Sequence, residues 1–346
     1  MNPTIENVNV TNITKLITAG ALKKEIPLSQ RAEKVVAETR RIIADILNGK
    51  DERLLVLVGP CSIHNLEAAL EYADKLATLQ KKVPHLFLVM RTYFEKPRTT
   101  TGWTGLIADP HLNGSFEIEE GLRMARKLLL SVNEKGVPCG TEFLDPLVPT
   151  FIADLIAWGA IGARTTESQT HRQMASVLSM PIGFKNGTAG SVDIAAHAII
   201  SARAEHKVIS QDDDGNTSIV EGKGNPHCHL VLRGGKTGPN FDGESIRAAR
   251  ATLAENGLPT AGIMVDCSHA NSEKRFENQG AVLKNVVEQR ASGNKTIIGV
   301  MLESNLEEGK QLITDSPLVH GVSITDACIG WSDTEKLLSE ANEALS

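Results

Sequence analysis

Four side chains in this sequence could together hold a metal ion: the thiol of Cys61, the imidazole of His269 and the carboxylates of Glu303 and Asp326. Such a mixture of soft and hard donors suits Mn, Fe, Co or Zn better than Mg or Ca. A lone cysteine is more often a buried, inert hydrophobe, so the set gains meaning only if the chain brings its members together. A second group is cationic: Arg91, Lys96, Arg98, Arg164, Lys185 and Arg233, in motifs rich in Gly, Thr and Asn such as GARTTES, FKNGT and LRGGK. Lys and Arg are rarely buried without an anion, and the planar fork of Arg takes phosphate or carboxylate through paired hydrogen bonds. Few acids point to the same place, so the balancing charge is expected from a phosphorylated, acidic substrate. Glu142 is a further candidate acid or base.

Position connects the two groups. Eight short apolar runs end, in order, at Cys61, Arg91, Glu142, Arg164, Lys185, Arg233, His269 and Glu303. The runs are near-continuously apolar, as parallel strands buried on both faces are. Helical stretches lie between them: 65–80 opens with an Asn cap, 116–133 is long and amphipathic, and 150–159, 170–178 and 191–205 continue the alternation. Strand then helix, eight times, predicts a (β/α)8 TIM barrel, in which the strand C-termini meet at one mouth and carry the catalytic residues. Strands one, seven and eight become neighbours on closure, which draws the four metal donors together. His64, beside Cys61, is a rival ligand expected to play a supporting part.

Two segments stand outside the barrel. Residues 1–52 form an N-terminal extension with little pattern before Pro27 and a helix over 31–48. The extension would plug the barrel floor, pair with another subunit or join a regulatory site. Residues 207–224 hold two β-branched runs around DDDGN, a hairpin signature inserted between strands five and six. The remainder, 53–346, is the catalytic barrel, somewhat longer than the usual ~250 residues. After the eighth strand come the apolar segment SPLVHGVSITDACIGW and a helix over 332–345.

Composition narrows the function classes. With 36 Lys and Arg against 42 Asp and Glu, a net charge of −6 and no basic stripe, nucleic acid is not an expected partner. No apolar run reaches the roughly 20 residues that span a bilayer, and no signal peptide is evident. Five scattered cysteines read as reduced thiols, so the expected compartment is the cytoplasm.

GPCSIH, RTYFEKPRTTTGWTGLIADPHLNGS, TEFLDP, WGAIGARTTESQTHR, GFKNGT, LRGGK, DCSHANS, VMLES and SITDACIGW run in order from about residue 53 to the C-terminus. Through them the chain resembles the class I 3-deoxy-D-arabino-heptulosonate 7-phosphate (DAHP) synthases of the short microbial type. The resemblance implies condensation of phosphoenolpyruvate, erythrose 4-phosphate and water to the seven-carbon product and phosphate, with a divalent metal, most simply Mn. By motif, Arg91 and Lys96 would hold the phosphoenolpyruvate carboxylate. Arg164, Lys185, Arg233 and the Ala163 backbone would hold its phosphate. Lys96, Pro97, Arg98 and Thr99 would receive erythrose 4-phosphate. Lys96 would protonate the developing alkoxide, its pKa lowered by neighbouring cations, Glu142 would orient the water, and His269 would serve the metal. The implied assembly is a homodimer or homotetramer inhibited by tyrosine or phenylalanine at Asn7, Leu147, Pro149, Ser179, Val208, Ser210 and Val220. A synthase for an eight-carbon sugar and a non-catalytic amino-acid sensor fit less well, because the KPRTT and SITDACIGW stretches and the whole ring of donors are present.

Overall fold

The structure, a computed structural model, describes residues 5–98, 100–315 and 317–346. After two helices, α1 (Ala19–Glu25) and α2 (Gln30–Leu47), the barrel strands begin: β1 (Leu54–Gly59), β2 (Leu86–Arg91), β3 (Cys139–Glu142), β4 (Trp158–Ile161) and β5 (Ile182–Lys185). The chain then leaves the barrel as an antiparallel hairpin, β6 (His206–Gln211) and β7 (Thr217–Gly222). It returns for β8 (Cys228–Leu232), β9 (Ile263–Asp266) and β10 (Ile297–Glu303). The closed barrel has the order β1-β10-β9-β8-β5-β4-β3-β2, with every pair parallel. Closure pairs Gly59 with Glu303 and Val58 with Met90, so the ends of β1, β2 and β10 lie side by side.

Alternation along each strand divides the core in two. Leu54, Val56 and Val58 face the surrounding helices, whereas Leu55 and Leu57 pack inside the barrel with Phe87, Val89, Trp158, Met264 and Met301. Ile43 and Ile46 of α2 join this inner cluster, so the helix closes the barrel floor. Burial of each such aliphatic side chain is worth about 2 kcal/mol. Glycines make room for the large ones: a Cβ at Gly183 would lie 2.6 Å from the Trp158 ring, and one at Gly159 2.6 Å from Ile182.

The intervening helices follow their caps. Asn65 Oδ1 accepts from Ala68 N (2.9 Å) at the start of α3 (Leu66–Gln80). The others are α4 (Ile118–Glu134), α5 (Val148–Ile152), α6 (Gln169–Val177), α7 (Val192–Arg203), α8 (Gly243–Glu255), α9 (Gln279–Ala291) and α10 (Trp331–Ala344). The expected helix over 150–159 is corrected. It stops at Ile152, a 3-10 turn covers Ala153–Leu155, and Trp158 and Gly159 belong to β4. The run from Ile156 to Ile161 is buried on all sides, and such a run carries no periodicity that separates helix from strand. Helix α1 was not expected; its cap is Thr18, whose Oγ1 accepts from Ala21 N (3.2 Å).

Extension and hairpin meet. Gly20 N donates to Asp213 O (2.7 Å) and Lys23 Nζ lies 2.7 Å from Asp213 Oδ1, tying α1 to the hairpin turn. Across the hairpin, Ile209 pairs with Ile219, and the two are 84% and 72% exposed.

One inner pair generates a test. Trp158 Nε1 donates to His229 Nε2 (3.2 Å), and burial pushes the fully enclosed His229 down to about 4. Because this pKa is depressed in the fold, the unfolded chain takes up the proton first. The stability is present above the ordinary value near 6.5 and is lost as pH falls toward 4, by up to about 3 kcal/mol. His229→Gln keeps an acceptor for Trp158 and does not titrate. Denaturant melts of this variant at pH 7 and pH 4.5 should differ by less than those of the parent; equal pH dependence would contradict this role for His229.

Candidate active site

The strand ends gather their side chains around a cavity of about 220 Å³ at the barrel mouth. Every described residue predicted to hold substrate lines it: Arg91, Lys96, Pro97, Arg98, Ala163, Arg164, Lys185 and Arg233. Glu142, His269, Glu303 and Asp326 line it as well. Thr99 lies outside the described residues.

Arg91 and Lys185 are buried and each is met by acids, while Lys96 is half-buried against Cys61. Arg91 Nη2 lies 3.1 Å from Glu303 Oε1, and its guanidinium sits 4.0 Å from the Tyr93 ring centroid. Lys185 Nζ lies between Glu142 Oε2 (3.2 Å) and Asp266 Oδ2 (3.5 Å). Lys96 Nζ lies 3.0 Å from Cys61 Sγ and 3.3 Å from Cys61 O. Two expectations are thereby corrected. Acids do reach the mouth, and they offset part of the charge of Arg91 and Lys185. The Lys96 ammonium is also not weakened. Burial opposes its charge, but Cys61, Glu303 and Asp326 outweigh that and hold its pKa above the ordinary lysine value.

At the rim, Arg98 Nε donates to Trp103 O (2.7 Å), and Arg164 Nη1 donates to Pro97 O (3.2 Å). Arg233 is held through its backbone N, which donates to Asn186 Oδ1 (2.9 Å). Arg98 and Arg233 form no ion pair among the described residues.

Asp266 is the residue the sequence reading missed. It ends β9, is fully buried, and accepts from Ser268 N at Oδ1 (3.0 Å). Burial works against its charge, yet His269 and Lys185 hold its pKa far below the usual carboxylate range. His269 Nδ1 approaches Asp266 Oδ2 to 2.9 Å, although neither atom completes a well-aligned hydrogen bond. His269 itself adopts φ +57°, a left-handed conformation uncommon for a non-glycine residue. The signal was an Asp closing a buried apolar run, masked by reading that run onward to His269. Tyr93 and Thr188 also line the cavity without having been expected.

Glu142 is enclosed too. Its Oε1 lies 2.4 Å from where a Cβ on Gly162 would stand, so a side chain after β4 would displace the carboxylate. Burial raises its pKa, but Lys185 and Lys96 overcome this and keep the carboxylate ionised.

The proposed ligand atoms of Cys61, Glu303 and Asp326 all lie within 4.8 Å of one another. Asp326 arrives there because the segment after β10 folds back on the strand end, through bridges Ser304–Ile329 and Gly309–Cys328. Cys61 Sγ donates to Asp326 Oδ2 (3.5 Å), and burial pushes the thiol up to about 11. His269 stands outside this close group. His64 does as well, and burial pushes it down to about 4. The donor set fits a transition-metal ion. Among the buried polar side-chain atoms that complete no hydrogen bond among the described residues are Arg91 Nη1 and Tyr93 Oη, beside Asp266 Oδ2 and His269 Nδ1, which face each other. Their concentration here marks a place built for a ligand.

A second cavity, of about 510 Å³, lies between α5, α6 and the hairpin. Pro149, Ser179, Val208, Ser210 and Val220 line it. Leu147 caps α5 just outside, and Asn7 sits in an exposed N-terminal turn of the same chain away from the lining.

Residues 25–339 match the model of the DAHP synthetase I family. The chain is 50% identical to the Phe-sensitive phospho-2-dehydro-3-deoxyheptonate aldolase of Escherichia coli K12, covering all of this chain and 99% of that one. With the Trp-sensitive enzyme of Salmonella typhimurium LT2 the identity is 52%, at the same coverage. With the Tyr-sensitive enzyme of that organism it is 49%, covering 99% of this chain and 96% of that one. A solved phospho-2-dehydro-3-deoxyheptonate aldolase from Francisella tularensis SCHU S4 superimposes with a TM-score of 0.95 at 45% identity, covering 98% of this chain and 100% of that one. Fold, ordered motifs and full-length similarity agree that this chain belongs to the DAHP synthetase I family, whose members catalyse the first step of the shikimate pathway.

Proposed function

We propose that the 220 Å³ mouth binds phosphoenolpyruvate and erythrose 4-phosphate beside a divalent metal, most simply Mn, with Fe, Co and Zn as alternatives. The observation carrying this reading is that one cavity takes in every described residue assigned to either substrate. Arg91 and Lys96 face the phosphoenolpyruvate carboxylate. Arg164, Lys185, Arg233 and the Ala163 backbone face its phosphate, and Pro97, Arg98 and Thr99 receive the aldose phosphate.

Cys61, His269, Glu303 and Asp326 would hold the metal. Contact of His269 Nδ1 with Asp266 leaves Nε2 as the donor, the usual arrangement in which a carboxylate orients a metal-binding imidazole. When bound, the metal supplies Lewis-acid polarisation of the aldehyde. Lys96 then donates a proton to the oxygen that becomes the alkoxide. Its high affinity for that proton keeps it charged until the oxygen turns basic. The enol carbon attacks, and water adds at the neighbouring carbon, one of its protons returning to Lys96 and the other leaving with the phosphate. Glu142, ionised and a weak base, orients this water by accepting a hydrogen bond. As phosphate leaves, Arg164, Lys185 and Arg233 hold its growing charge in place.

The 510 Å³ cavity would take the feedback inhibitor, tyrosine or phenylalanine. Relatives sensitive to Phe, Trp and Tyr are 50%, 52% and 49% identical, so overall similarity does not select among them. Asn7 would reach this cavity from a second subunit. The exposed Ile209 and Ile219, with Ile5, Val8 and Val10 of the extension, would form the contact surface of a homodimer or homotetramer. Among the described residues, no helix is long and apolar enough to cross a membrane. The five buried free thiols support a reducing, cytoplasmic setting.

Chelation should abolish phosphate release and Mn should restore it; full turnover by metal-stripped protein would refute the metal role. Glu142→Gln should lower kcat at least tenfold while leaving KM for phosphoenolpyruvate within about threefold, and near-parental kcat would remove Glu142 from the water step. Val220→Trp, which fills the second cavity, should raise the inhibitory concentration of the effective amino acid at least tenfold with kcat unchanged. Equal inhibition would place the effector elsewhere.

A further inference from the structure

At the floor of the barrel, a groove of about 1160 Å³ runs from the end of α2 past the starts of β8 and β9 to α8 and the end of α9. None of its lining residues is shared with the mouth. Arg203, Arg247, Arg250 and Lys295 line it, and no Asp or Glu does, in a chain where acids outnumber bases 42 to 36. Lys295 is answered by Glu52 from outside the groove. Arg247 and Arg250, three residues apart on one face of α8, are exposed and form no ion pair among the described residues.

Two exposed arginines alone would be an ordinary solvated face. Arg203, in the last turn of α7, makes the difference. Its Nη2 donates to Cys228 O (2.8 Å), which fixes the guanidinium, while its Nε is buried with no acceptor among the described residues. Burial disfavours its charge, and only the Cys228 thiol opposes that effect. Beside it, His227 is held below the ordinary histidine value by burial and by Arg203. The neutral imidazole can therefore still donate a hydrogen bond to an anion. Apolar side chains, Ile46, Ile246 and Ile298 among them, complete the walls.

We propose that this floor groove is a second binding site, for a small organic dianion with an apolar body, one anionic group meeting Arg247 and Arg250 and the other meeting Arg203. Guanidinium forks bind carboxylate and phosphate through the same paired geometry, so the two chemistries are separated by experiment.

The probes are isophthalate, a dicarboxylate, and fructose 1,6-bisphosphate, a bisphosphate. Each is titrated calorimetrically into the full-length, Mn-loaded protein with the mouth saturated by phosphoenolpyruvate. One equivalent of one probe should bind per chain with a Kd below about 1 mM, weakening as salt is raised. The probe that binds names the anion class. Arg247→Ala/Arg250→Ala should weaken binding at least tenfold while turnover in the absence of probe stays unchanged, showing the fold intact. Arg203→Lys, which keeps charge but loses the fork, should weaken it as well. Two outcomes would overturn the proposal: neither probe binds, or the double variant binds as tightly as the parent. A change of oligomeric mass in the double variant, without anion binding in the parent, would make the groove a subunit face and also refute the site.

Discussion

The buried ammonium of Lys185, shared between Glu142 at 3.2 Å and Asp266 at 3.5 Å, constrains the rest of the mouth. A charge taken out of water at the end of a barrel strand needs opposite charge close by, and removal of one partner from such a group costs several kcal/mol. Parallel closure meets that need. It places the ends of β3, β5 and β9 around one point and those of β1, β2 and β10 around another, where Arg91 meets Glu303. The inner charges are thus partly offset by the protein itself. Arg98 and Arg233 at the rim form no such pair among the described residues.

The same charge network sets proton affinities in opposed directions. Lys96 is held protonated by Cys61, Glu303 and Asp326, while Glu142 is held ionised by Lys185 and Lys96. An ammonium that keeps its proton until a strongly basic oxygen forms and a weak, fixed acceptor suit a reaction in which an alkoxide must be protonated and a water aligned. Glycine at 162 is part of this arrangement, because any side chain there would displace the Glu142 carboxylate.

Much of this was legible in the sequence. The eight apolar runs, and the donor or cation closing each, gave barrel, mouth and cavity lining, because a parallel strand buried on both faces leaves a continuous apolar signature. Three features were not legible, each for a physical reason. The segment around Trp158 is buried on all sides, so its pattern suits a helix as well as a strand. Asp266 looked like an interior residue of a longer run, since strand ends carry no marker of their own. Helix α1 is short and docks through backbone and tip contacts to the hairpin, long-range partners that local periodicity does not record.

The measurement that bears most directly on this account is a crystal structure of the Mn-loaded protein with phosphoenolpyruvate bound. The account predicts the ligand phosphate on Arg164, Lys185 and Arg233, its carboxylate on Arg91 and Lys96, and the metal on Cys61, His269, Glu303 and Asp326. Phosphate bound away from Lys185, or a metal held by other side chains, would contradict it.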